Sequence, residues 1–163
     1  MSRRRLSTVV AIAIFFSFGG CKPPITQPQD AHAVLLPESA ARELSELCSR
    51  EAPQIDGTWT PSAAVLATME ANLGSIADLE SESGKPGVHI RDPRKAYRQY
   101  VGVVIAGQHY VYINGVCELI KPGRHWRKKL ENSWCDGGEC FWGVLYNVQS
   151  NVFSDLRTNG GFS

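Results

Sequence analysis

The sequence predicts an α+β fold in which two N-terminal helices pack on a four- to five-stranded antiparallel meander sheet. Three observations carry that prediction. Apolar residues recur at helical spacing only between positions 37 and 80, β-branched and aromatic runs fill positions 100–156, and turn residues separate those runs so that consecutive strands read as hairpins.

The first helix is expected over 37–50, where Ala40, Leu44, Leu47 and Cys48 fall on one face and Glu51-Ala52-Pro53 ends the pattern. A turn at Asp56-Gly57 leads to Trp59, expected to lid the core. Thr60 as N-cap and Pro61 at the first helical position open the second helix, whose stripe of Leu66, Met69, Leu73 and Ile76 reads as core packing. Gly74 inside that stripe marks close packing against another element. After a loop at 81–86 and a basic connection at 90–98, strands at 100–106 and 109–117 form a first hairpin about Ala106-Gly107-Gln108. A third strand is expected at 130–134. Residues 141–147 and 152–156, joined through Asn147 and Asn151, make the closing hairpin, into which the chain puts two of its four tryptophans and three of its six phenylalanines from position 134 onward.

Upstream of the domain, Arg3, Arg4 and Arg5 precede an uncharged apolar run and then Gly19-Gly20-Cys21. A basic start, an apolar run too short to span a bilayer and small residues at the exit are the parts of a signal peptide, assigned to 1–20. The small pair before cysteine resembles a bacterial lipobox, with Phe18 where leucine is usual, and it predicts lipid attachment at Cys21. Cleavage after Ala31-His32-Ala33 and an uncleaved anchor are the alternatives. Residues 21–36 are expected to form a flexible tether of roughly 50 Å when stretched, leaving 37–163 as a single domain. Lys22 rather than aspartate after the cysteine, by resemblance to the sorting rule of enteric bacteria, implies the outer membrane, facing the periplasm, over the inner one.

Charge is distributed unevenly. Without the three signal arginines the chain has 14 basic and 16 acidic residues, yet positions 38–82 hold nine acids against two bases and positions 85–129 hold ten bases against two acids. Four cysteines besides Cys21, namely Cys48, Cys117, Cys135 and Cys140, predict two disulfides in an oxidising compartment. Of the three pairings, Cys135 with Cys140 is favoured because Gly137 and Gly138 allow a tight turn between them, which leaves Cys48 with Cys117. Neither CxxC spacing nor paired histidines point to zinc, and no cofactor is implied.

The candidate binding segment is KPGRHWRKK, positions 121–129, with five basic residues and no acid. Arg124, His125, Trp126, Arg127 and Lys128 have the chemistry to hold an anionic or sugar ligand by charge and stacking; the plainer reading is a solvated basic loop. Export argues against nucleic acid as partner. Asp136, Glu139 and His125 are the residues a hydrolase would draw on, but turn glycines flank the two carboxylates, and neither GxSxG, HExxH nor a phosphate loop occurs, so no catalytic residue is assigned. His109, beside a tight turn, is read as a solvent-facing strand residue.

RQYVGVV, Gly107 and YIN, followed by DGG, FWGVLY and a closing F-x-x-L-x-x-N-G, resemble in order a family of small exported bacterial proteins, many with lipoprotein signals and without an established activity. The resemblance covers roughly 59–160; Asn147-Val148 stands where Asp-Pro is common. It implies export and one compact domain, and adds no catalytic residue. The function expected is thus a membrane-tethered, non-catalytic module binding an envelope protein or an anionic glycan, with a structural envelope role and an envelope hydrolase as alternatives.

Overall fold

The computed structural model describes residues 27–28, 30–48, 50–83, 87–132 and 134–160. The expected signal peptide and Cys21 lie outside them. Among the described residues six strands form one mixed sheet: β1 (Ala33–Leu35), β2 (Gly57–Thr58), β3 (Tyr97–Ile105), β4 (Gln108–Val116), β5 (Phe141–Asn147) and β6 (Val152–Thr158). The order is β1-β3-β4-β5-β6. β1 runs parallel to the start of β3, β2 pairs antiparallel with its far end, and every other pairing is antiparallel.

The expectation of two helices on an antiparallel meander is corrected. One α-helix is present among the described residues, α1 (Ala63–Asn72), continued by a 3-10 segment over Leu73–Asp78. The expected first helix is a 3-10 helix, Glu38–Glu46. Ala41, Leu44 and Leu47 are buried there at intervals of three, which is the spacing at which 3-10 side chains eclipse and which a sequence does not separate from an α-helical stripe. Ser62, not Thr60, caps α1, its hydroxyl accepting from the Val65 N–H at 3.3 Å, while Thr60 donates its own hydroxyl to Glu38. The strand expected at 130–134 does not form: Leu130 and Glu131 are buried in irregular backbone.

The end of the expected tether belongs to the domain. Ala33 and Leu35 enter the core on one side of the sheet, Val34 and Leu36 on the other. A strand buried on both faces reads as an unbroken apolar run, and that continuity distinguishes these four residues from the polar segment before them.

Both faces of the sheet are covered. Leu66, Met69, Leu73 and Ile76 pack on Tyr100, Val111, Ile113, Trp142 and Val144. The 3-10 helix, with Ala40, Ala41 and Leu44, covers Val101, Val103, Tyr112 and Leu145 from the other side. In β6 a bulge opposite β5 puts Asp155 at φ 53°. It lets Phe153 and Leu156, three apart, both reach the α1-side core.

The cysteines form two disulfides, Cys48–Cys135 and Cys117–Cys140, which corrects the favoured pairing. The β4–β5 ladder ends at Val116 opposite Phe141, so Cys117 and Cys140 occupy the next rung, with the Cys117 N–H donating to the Cys140 carbonyl at 2.8 Å. Cys140 is thereby committed to β4. Cys135 meets Cys48 just past the 3-10 helix.

Candidate functional site

Alternation along β3 sends Gln99 to the 3-10 side of the sheet and Arg98 and Tyr100 to the α1 side. Each position organises a buried polar cluster, and the first of them supports the basic segment. The Gln99 amide nitrogen donates to the carbonyls of Trp126 and Lys129, the latter at 2.6 Å. Its oxygen accepts from the Glu131 N–H at 2.7 Å and from the Asn114 amide at 2.8 Å. Asn114 donates also to the Glu131 carbonyl, 2.9 Å, and accepts from Arg50. The Glu131 carboxylate takes the Gly123 N–H at 2.9 Å, and that of Glu43 takes the Leu130 N–H at 2.9 Å. Buried polar groups thus fix the base of the loop from several directions.

At the tip, the five residues expected to act together divide into two sets. Trp126 is half-buried against the 3-10-side core and meets Tyr97 edge-on, 5.6 Å between centroids. The Arg127 guanidinium lies 4.5 Å from the Trp126 centroid and donates to the Ala31 carbonyl, so this pair ties the loop to the turn that precedes β1. Arg127 is exposed as well, but Arg124, His125 and Lys128 are exposed without such a tie among the described residues. Among the described residues, none of the five basic side chains at 121–129 pairs with a carboxylate.

The α1-side cluster was not anticipated. Arg98, its side chain 1% exposed, contacts both Asp30 and Glu70 through Nη2. Nε donates to the Tyr100 hydroxyl at 2.9 Å, and Nη1 to the carbonyls of Pro93, Arg94 and Ala96. Tyr100 in turn donates to Glu70. Burial pushes the Tyr100 phenol well above its ordinary pKa, with Glu70 adding to the rise against the pull of Arg98. Asp30 moves the other way: burial would raise it, but the His32 backbone N–H and the Arg98 guanidinium together hold it below the ordinary carboxylate value. The sequence carried one signal of this cluster, an arginine and a tyrosine two apart in a strand, hence on one face of an otherwise apolar sheet.

Asp136 and Glu139 are exposed on the turn that bridges to Gly160, and no hydrogen bond joins either to His125 among the described residues. Among the same residues no group of three or more His, Cys, Asp or Glu side chains is placed to hold a metal ion, and no helix is long and apolar enough to cross a membrane. Compared with known proteins, the chain matches no family model, no curated sequence and no solved structure.

Proposed function

We propose that the protein is an exported, lipid-anchored module of the cell envelope, facing the periplasm at the outer membrane, that holds an anionic glycan on the loop at 121–129 without turning it over. The observation that carries this reading is a fixed loop with unneutralised charge. Its base is bonded to Gln99, Glu131 and Glu43, yet its basic side chains meet no carboxylate among the described residues. A preorganised cationic surface loses little freedom on binding a polyanion. Two disulfides are compatible with export. The likeness to small exported bacterial proteins belongs to the same proposal.

The test is retention of the full chain on an immobilised polyuronic acid at low and high salt. Arg124→Ala combined with Lys128→Ala is expected to weaken retention about tenfold at low salt, and to flatten its salt dependence, with no change in unfolding midpoint because both side chains are exposed. Absence of retention at low salt, or retention indifferent to the double substitution, would refute the reading.

A further inference from the structure

Between α1 and residues Gln27, Pro28 and Asp30 lies an open cleft of about 520 Å³, a size in the range of roughly 300–1,000 Å³ usual for small-molecule sites. The helix wall is apolar and made of Ala63, Ala64, Leu66 and Ala67. Across from it stand Gln27 and Pro28. This second wall is built into the fold. The Gln27 side chain bonds the edge of β1 as a neighbouring strand would, its oxygen accepting the Leu35 N–H at 3.0 Å and its nitrogen donating to the Leu35 carbonyl at 3.1 Å.

The charged groups lining the cleft are Asp30 and Glu70, the latter one turn along α1 from Leu66 and Ala67. Their shared cation, Arg98, sits behind them and is not a lining residue. Each of its three nitrogens is already engaged: Nε by Tyr100, Nη1 by three carbonyls, Nη2 by the two carboxylates. An anion entering the cleft would meet two carboxylates and compete for a guanidinium already in use. A cation would meet two acceptors whose side chains remain 41% and 24% exposed. Two carboxylates against one guanidinium leave a formal charge of −1 facing an apolar chamber.

We propose that this cleft binds a small organic amine, its apolar body against Ala63, Ala64 and Ala67 and its ammonium group between Asp30 and Glu70. The site is separate from the basic loop and does not depend on the glycan reading. Its ligand class is opposite in charge, because the loop presents cations and the cleft presents carboxylates.

The experiment titrates the full chain with benzylamine, benzyl alcohol and benzoate, three probes of one shape that differ in head group, and follows the backbone amide resonances of α1. Benzylamine should give saturable shifts centred on α1, with a Kd at least tenfold below that of the alcohol, and benzoate should give none. Ala67→Phe fills the cleft from the exposed side of the helix, and should abolish saturation while resonances of β4 and β5 stay in place. Glu70→Gln should weaken benzylamine about tenfold and leave the alcohol unchanged; this second variant separates the head-group contact from simple occupancy. Arg124→Ala with Lys128→Ala should change nothing here. Binding of benzoate as tight as benzylamine, saturation that survives Ala67→Phe, or no saturable shift with any probe would overturn the proposal.

Discussion

Gln99 shows how far one side chain reaches in this molecule. It is buried in β3, yet it bonds two carbonyls of the basic loop, the Glu131 N–H and the Asn114 amide. Its replacement by leucine keeps the volume and removes every bond, leaving those groups buried and unpaired at about 1–3 kcal/mol each. Gln99→Leu is therefore expected to lower stability by about 3 kcal/mol or more in urea unfolding, and to let the amides of 121–129 exchange with solvent faster than those of β4. A variant as stable as the parent would mean that the loop is not held from its base. Ala106 presents the opposite case, a residue the fold tolerates rather than uses. It sits at φ 49° beside Gly107 at φ 74°, the left-handed pair of a two-residue hairpin turn, with its N–H given to Asp56 at 2.6 Å. Alanine is strained there, whereas Asn-Gly is the pair such turns prefer. Ala106→Asn should raise stability by about 0.5–1 kcal/mol, read as a higher thermal midpoint; a decrease would show that the turn is not of this type.

At the scale of elements, the two disulfides differ in what they close. Cys117–Cys140 spans 23 residues along an existing ladder, and Cys48–Cys135 spans 87 and joins the 3-10 helix to the turn before β5. Loop-closure entropy puts these at about 3.4 and about 4.6 kcal/mol, so replacing both cysteines of the longer link by serine should cost about 1 kcal/mol more than the same change at the shorter one. Unfolding of the two double variants under non-reducing conditions makes the comparison, and a larger loss from the short link would count against the entropic account. The pairing was not readable because tight spacing about Gly137 and Gly138 argued for one neighbour of Cys140, whereas ladder register supplied another. The α1 stripe and both hairpins were legible. Gly74 does not pack against another element: a β-carbon there would lie 2.9 Å from the guanidinium end of Arg94, a side chain of the connection before β3. The short edge strands were not legible: two or three residues of β1 and β2 carry no period of their own and exist because β3 offers a free edge. Of the candidate site, the sequence marked the segment at 121–129 but not its division into Trp126 and Arg127 as structure and Arg124, His125 and Lys128 as surface. Long-range bonds to Gln99 and Ala31 decide that division.

Taken whole, the molecule offsets part of its lopsided charge through ion pairs, one set around the buried Arg98 and another at the surface around Arg157. Glu70 of the acidic stretch meets Arg98 of the basic one, and Glu51 and Glu82 meet Arg157. Among the described residues, the loop at 121–129 keeps its basic side chains without a carboxylate partner, and the cleft beside α1 sets two carboxylates against the single guanidinium of Arg98. Asp30 links this arrangement to pH, because its carboxylate pairs with the buried Arg98 ahead of β1. The carboxyl titrates below its ordinary value of 3.8 in the folded protein, so its contribution is complete above that value and is lost as pH falls through the lower folded one. The sign follows directly: protonation removes a charge that the native state uses and the unfolded chain does not. Asp30→Asn should therefore lower the urea midpoint at about pH 6, and the difference from the parent should shrink as the pH falls through the folded carboxyl's lowered value, so that parent and variant converge on the acid side. The effect is modest because the Asp30 side chain is 41% exposed and partly screened by solvent. Convergence of the two curves places the tie between Asp30 and Arg98 in solution; curves that stay parallel down to the acid limit would show that the segment leading into β1 is held by Gln27 and the strand itself, and that Arg98 depends on Glu70 for its counter-charge.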